Sequence, residues 1–122
     1  MASKEAFDIS LAYGGIREQA FANILFKATV ECKSDRICRR TGNVFIEYKQ
    51  RGRPSGIAVT EAEFWAIEFD SDCWIVIPVD RLKAVCRWFY KQHPELRRSG
   101  GDNENEGVLI PLSELIAKVG CL

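Results

Sequence analysis

The spacing of apolar residues changes along the chain and divides it into helical and extended segments. From residue 7 to about residue 26, Ile16, Ala20 and Ile24 recur at four-residue steps, the spacing of one face of an α-helix. Two adjacent glycines at 14–15 interrupt this pattern, so we expect the long helix to begin near them.

The strongest strand signal lies at residues 43–50, Asn-Val-Phe-Ile-Glu-Tyr-Lys-Gln. β-Branched and aromatic residues dominate this segment, and turn-forming residues flank it at 41–43 and 51–56, so a strand of about six to eight residues is predicted. Successive side chains of a strand point to opposite faces. Glu47 and Lys49 are therefore expected to be neighbours on one face.

The remaining segments complete an α/β pattern. A capping box at residues 60–63 predicts a helix through 61–69, and a second helix is predicted at about 80–93. The polar segment 96–106 predicts a loop. Further strands are predicted at 27–35, 73–79 and 108–111, and a last helix from 113 onward. This order predicts one domain over residues 1–122, with a mixed central sheet of about four strands flanked by helices.

Length and composition are those of a single domain. At 122 residues the chain is long enough for one core and too short for two domains. No apolar run approaches the roughly 20 residues that cross a bilayer, and the polar start differs from a signal peptide, so we expect a cytoplasmic protein without membrane contact. Five cysteines without Cys-x-x-Cys spacing favour free, buried thiols over disulfides or a zinc site.

Charge is unevenly distributed, although 17 basic and 17 acidic residues sum to zero. Residues 27–53 hold eight Lys and Arg against three Asp and Glu, a net charge of +5, so the rest of the chain carries −5. A basic segment suits a polyanionic ligand, and it also occurs on surfaces that bind nothing. The basic residues of the helix at 80–93 are expected to form an exposed helix face, with a nucleic-acid surface as the minor alternative: Arg81, Lys83, Arg87 and Lys91.

Two acids and a lysine are the candidates for chemistry. Glu47 and Lys49 lie on a strand of core character, where charge is costly unless it is paired or binds a metal. A solvated pair at a sheet edge is the simplest explanation. The other depends on Asp35, because a hairpin between the strands at 27–35 and 43–50 would fold it back beside Glu47. Two carboxylates and an amine at one point would suit a hard divalent cation at a phosphodiester.

These residues carry a resemblance to the PD-(D/E)XK nuclease superfamily over roughly residues 14–80. The matching positions are a helical acid, an acid that ends a strand, and an acid and a lysine two residues apart: Glu18, Asp35, Glu47 and Lys49. Ser34 stands where the superfamily's name has Pro. The stretch around residues 42–57 is similar in style to small phage-encoded members and to Holliday-junction-resolvase-like nucleases. The resemblance implies a restriction-endonuclease-like core and a metal-dependent DNA endonuclease.

The resemblance also implies residue roles. Asp35, Glu47 and the backbone carbonyl of Tyr48 would hold Mg²⁺ or Mn²⁺. Lys49 would assist the attacking water, and Glu18 would extend the ligand shell. Phosphate contacts to DNA are expected from five arginines: Arg36, Arg39, Arg40, Arg51 and Arg53. A homodimer is expected, because a domain this small cuts both strands most simply as a symmetric pair. Replacing Asp35, Glu47 or Lys49 by Ala is expected to abolish cleavage and to leave the fold intact.

Two other functions stay open. A nuclease-like domain that no longer cuts would act as a nucleic-acid or protein binding module. An interaction protein in which Glu47 and Lys49 form a structural pair would have no affinity for DNA, even at low salt.

Overall fold

The computed structural model describes residues 4–102 and 104–121. Within these residues the strands divide between two sheets, and there are four α-helices. The helices are α1 (Lys4–Phe26), α2 (Cys38–Thr41), α3 (Val79–Gln92) and α4 (Leu112–Val119). The strands are β1 (Val30–Ser34), β2 (Asn43–Gln50), β3 (Arg53–Pro54), β4 (Phe64–Asp70), β5 (Cys73–Pro78), β6 (Arg97–Gly100) and β7 (Asn105–Pro111). This arrangement confirms the predicted α/β class.

One sheet has the strand order β1-β4-β5 and the other β3-β2-β7-β6. In the first, β1 runs parallel to β4 and β5 runs antiparallel to it. In the second, every neighbouring pair is antiparallel. The strands that carry the candidate acids therefore belong to different sheets.

A single apolar cluster joins the two sheets to α3 and α4. Helix α3 buries Leu82, Val85 and Phe89, and it packs against β7 and α4. This agrees with the sequence pattern, because these positions recur at three- and four-residue spacing. Each fully buried aliphatic side chain contributes about 1.5–3 kcal/mol to folding. The cluster fixes the position of β2, whose Val44 and Ile46 are each 1% exposed.

The predicted hairpin between residues 27–35 and 43–50 is wrong. β1 pairs with β4, about 30 residues further along the chain, and β2 pairs with β7. The short helix α2 occupies the connection between β1 and β2. Strand pairing between distant segments leaves no signal in the local sequence. The short connection between β1 and β2 therefore suggested that these two strands pair, and they do not.

The predicted helix at 61–69 is also wrong, because these residues supply β4. Trp65, Ala66 and Ile67 are all buried. Three consecutive buried residues are typical of a central strand that is covered on both faces. Thr60, the expected cap, instead donates a hydrogen bond from Oγ1 to Glu31 Oε2 at 2.9 Å and thereby joins β1 to the chain before β4.

Two further segments differ from expectation. Helix α1 continues through Gly14 and Gly15, because a glycine in a helix costs only about 1 kcal/mol relative to alanine. The expected polar loop at 96–106 contains β6 and the start of β7, which pair across a turn. Gly100 and Gly101 have φ angles of 123° and 80° at this turn, and glycine adopts such positive angles without steric strain.

All five cysteines are free, as predicted, although only Cys38 and Cys86 are buried. Burial raises the pKa of the Cys86 thiol to about 12. Within the described part of the chain, no helix combines the length and the apolarity needed to cross a bilayer.

Candidate functional site

Asp35 is fixed by backbone donors at the junction of the two sheets. Its Oδ1 accepts hydrogen bonds from the backbone N–H groups of Ile37 at 3.1 Å and Cys38 at 3.0 Å. Its Oδ2 accepts one from the N–H of Phe45 in β2, at 3.1 Å. The Asp35 N–H donates in turn to the carbonyl of Glu68 in β4, at 3.1 Å. Asp35 thus links the end of β1 to the start of β2.

Glu47 lies two residues further along β2 than Phe45 and is half-buried. Ser55 donates a hydrogen bond from Oγ to Glu47 Oε2 at 2.9 Å. Gly56 lies directly against the Glu47 backbone, with φ at +54°, and a Cβ there would lie 3.0 Å from the Glu47 carbonyl carbon. The segment that follows β3 therefore holds the Glu47 side chain in place.

Asp35 and Glu47 are held at β2 by different neighbours. The Phe45 N–H, two residues before Glu47, donates to Asp35. Positions two apart on a strand are about 6.6 Å apart. Beyond that point Ser55 and Gly56 lie against Glu47, and β3 pairs with the end of β2. Asp35 is therefore attached to β2 beside Phe45, and the Glu47 side chain is held by the segment after β3.

Lys49 and Glu47 make different contacts. The ladder between β2 and β7 shifts register between these two residues, so simple alternation does not continue through Tyr48. Lys49 lines a cavity together with Tyr48, and its Nζ lies 3.9 Å from a carboxylate oxygen of Glu106. The expectation that Glu47 and Lys49 share one face depends on that alternation and stays a prediction. The Tyr48 carbonyl, the expected third metal ligand, accepts the Ser55 N–H at 3.0 Å.

The other predicted site residues are distributed over several places. Glu18 is exposed on α1. Arg36 and Arg39 line a cavity of about 380 Å³ with Asp35, and Arg39 pairs there with Asp70 at 3.4 Å. Three further predicted arginines are exposed, one in α2, one in a turn and one at the start of β3: Arg40, Arg51 and Arg53.

A basic cavity of about 490 Å³ between β2 and α3 is the feature that sequence reasoning underrated. Four cationic side chains line it: Lys49, Lys83, Arg87 and Lys91. Among the described residues, no carboxylate lines the cavity. The spacing of four between the three α3 residues was visible in the sequence and places them on one side of that helix.

Two tyrosines give this basic cavity an aromatic wall. The rings of Tyr48 and Tyr90 meet edge to face, with centroids 5.6 Å apart. Burial raises the pKa of Tyr48, so its phenol stays protonated and able to donate a hydrogen bond at neutral pH. The cavity therefore combines positive charge, aromatic surface and a neutral hydroxyl.

No group of three or more His, Cys, Asp or Glu side chains in the described residues is arranged to hold a metal ion. A carboxylate offers about four acceptor positions; hydrogen bonds take three at Asp35 and one at Glu47. Asp35 thus keeps acceptor capacity for about one further ligand and Glu47 for about three. Two carboxylates with a nearby backbone carbonyl are oxygen donors of the kind that Mg²⁺ takes, usually with water in the remaining positions.

Comparisons of the chain with protein families, with curated proteins and with solved structures found no match.

Proposed function

We propose that the protein is a divalent-metal-dependent nuclease that acts on DNA, as a homodimer. The observation that carries this proposal is the hydrogen bond that joins Asp35 to β2 at Phe45, two residues before Glu47 on the same strand. Acids held rigidly by backbone and hydroxyl donors are preorganised, which is what a site for a hard cation requires.

Within this proposal, Asp35 and Glu47 each supply one carboxylate oxygen to Mg²⁺ or Mn²⁺. The metal, when bound, supplies a Lewis acid for the phosphate and a water of lowered pKa. Ser55 keeps Glu47 in one rotamer through its hydrogen bond. The hydrogen bonds to Asp35 from α2 and β2 prevent its carboxylate from rotating away.

The basic cavity supplies the affinity for DNA in this proposal. Lys83, Arg87 and Lys91 follow one side of α3, and Lys49 joins them from β2, the strand that also carries Glu47. Phosphate contacts of this kind give salt-dependent binding that is largely independent of sequence. Lys49 would then contribute by neutralising phosphate charge.

The decisive variant is Glu47→Gln, because the amide oxygen keeps an acceptor for Ser55 while the negative charge is lost. We expect Mg²⁺-dependent cleavage of supercoiled plasmid to fall about 100-fold or more, since each 1.36 kcal/mol of lost transition-state stabilisation is a factor of ten. The heat of Mn²⁺ binding in calorimetry should fall with it. Glu61→Gln, at an exposed position outside the site, is the control. Unchanged cleavage by Glu47→Gln would refute the proposal.

A binding module without cleavage is the second candidate, and one observation favours it. Three of the acceptor positions of Asp35 are already taken by backbone N–H groups, which is sufficient reason for an acid at this point in the fold. This candidate predicts that DNA binding is equal in Mg²⁺ and in EDTA and that no cleavage occurs in either. Gel-shift and plasmid assays on the same preparation separate the two functions.

A further inference from the structure

Helix α1 exposes large apolar side chains that nothing in the described chain covers. Leu11 is 60% exposed, Phe21 55% and Leu25 57%. These residues lie on one side of the helix, within about 80° of one another at 100° per residue. The opposite side carries the hydrogen-bonded pair Gln19 and Asn23, and it also exposes Ile16. Exposed apolar patches of this kind are typical of interaction surfaces.

Gly14 lies in the middle of this apolar side. Glycine within a helix lowers its stability relative to alanine, and a Cβ at Gly14 would meet nothing within 4 Å. No contact inside the chain therefore requires the glycine. A small residue in the centre of an apolar helix face allows another helix or ring to approach closely.

The charges of α1 identify the partner. From Ser10 to Phe26 the charged side chains are Arg17 and Glu18, which are adjacent and opposite in sign. Two antiparallel copies of α1, related by a two-fold axis midway between these residues, would place each Arg17 opposite Glu18 of the other copy. The same symmetry places Gly14 opposite Phe21 and Leu11 opposite Ile24. The symmetry that pairs the charges thus also pairs the smallest residue with the largest.

Other partners fit this surface less well. The net charge of residues 10–26 is zero, so the surface lacks the positive charge that nucleic acids or anionic lipid surfaces attract. A self-complementary surface is what a two-fold dimer interface requires.

We propose that α1 forms the dimer interface, as an antiparallel pair with the same helix of a second copy. Phe21 of each copy covers Gly14 of the other, and two Arg17–Glu18 ion pairs flank the axis. This proposal deepens the homodimer of the proposed function. It does not depend on the metal chemistry, because dimerisation is measured on the full chain without DNA or divalent metal.

The first experiment is sedimentation equilibrium of Gly14→Leu and Gly15→Leu. Both substitutions raise helix propensity, and both side chains enter open space in one copy. Gly14 lies about 10° from the direction midway between Arg17 and Glu18, where the proposed two-fold axis meets the helix, and Gly15 lies about 110° from it. We expect the wild type and Gly15→Leu to dimerise at micromolar concentration and Gly14→Leu to dimerise at least about tenfold more weakly. Equal dimerisation of the two variants would overturn the proposal.

The second experiment exchanges the charges. Arg17→Glu and Glu18→Arg each place like charges opposite one another, so each should weaken the dimer about tenfold, an effect that high salt reduces. The double variant Arg17→Glu/Glu18→Arg should restore wild-type affinity, because both cross-axis pairs are rebuilt with reversed polarity. Absence of rescue, or a wild-type chain that stays monomeric at these concentrations, would overturn the proposed arrangement. Neither result would bear on cleavage by Glu47→Gln, so failure of this proposal is distinguishable from failure of the nuclease proposal.

Discussion

A single residue, Asp35, connects folding to the candidate chemistry. Because its carboxylate accepts three backbone N–H hydrogen bonds at the junction of the sheets, Asp35→Ala leaves three donors without their partner. We predict a loss of about 2–3 kcal/mol in the free energy of unfolding, measured by urea denaturation. Asp35→Asn, which keeps one acceptor oxygen, should lose less. This predicted loss differs from the expectation, drawn from the sequence, that Asp35→Ala leaves the fold intact. Equal stability of Asp35→Ala and wild type would refute the predicted loss.

Gly56 is the residue that allows the chain to close over Glu47. Gly56→Ala should destabilise the protein by about 2–4 kcal/mol, since it combines a φ of +54° with a Cβ only 3.2 Å from the Glu47 Cβ. Gly52→Ala is the matched control, because Gly52 has a φ of +75° and open space around it. The control should lose only about 1 kcal/mol, the cost of the left-handed backbone alone. Urea denaturation gives the loss in free energy of unfolding for each variant, and the difference between the two losses is the steric contribution at Gly56.

At the scale of the element, local sequence predicted helices and strands well where burial follows one period. Helix α3 begins and ends within a residue of its predicted bounds, because its apolar stripe and polar face are both clear. The helix predicted at 61–69 failed because Thr60 and Glu63 resemble a capping box. Thr60 Oγ1 does accept the local N–H of Ala62. Thr60 and Glu63 also form hydrogen bonds to Glu31 and Thr29, about 30 residues away in sequence. A local sequence motif cannot distinguish a helix cap from residues that form long-range hydrogen bonds.

The hydrogen bond between Thr60 and Glu31 has a measurable effect on the pKa of Glu31. The Thr60 hydroxyl, with a smaller contribution from Lys33, lowers the pKa of Glu31 below its ordinary value of 4.5. Because the pKa of Glu31 is lower in the folded state, its ionised carboxylate stabilises the fold at pH values above the ordinary pKa. This stabilisation is lost as the pH falls through the folded-state pKa. In Thr60→Val we expect the Glu31 pKa, followed by NMR titration, to rise toward 4.5 and the acid-induced loss of stability to become shallower.

The matched control for this titration is Thr41→Val. Thr41 also donates its hydroxyl hydrogen bond, but to the backbone carbonyl of Ile37, away from Glu31. The Glu31 pKa should therefore be unchanged in this variant. If Thr60→Val also left the pKa of Glu31 unchanged, the hydroxyl would not be the cause of the shift.

At the scale of the whole molecule, the sequence predicted the α/β class but not the division of the strands into two sheets. The division depends on which distant segments pair, and that depends on the burial of the whole core. The same limit applies to the site. Asp35 contacts β2 through the Phe45 N–H without the expected hairpin, and the ladder between β2 and β7 shifts register between Glu47 and Lys49. Neither feature has a signature in the local pattern of residues 27–53.

The proposed DNA surface can be tested by comparing two arginines on one helix. Arg87 lines the basic cavity, whereas Arg81 donates from Nη1 to the Val119 carbonyl at 3.1 Å, toward α4. If DNA phosphates occupy the cavity, Arg87→Gln should weaken binding at every sequence tested. It should also reduce the slope of log affinity against log salt by about 0.9, the value for one lost contact to duplex DNA. Arg81→Gln removes the same charge from α3 and should leave the slope unchanged. Fluorescence anisotropy from low to physiological salt measures both slopes, and equal slopes would exclude the cavity as the DNA-binding surface.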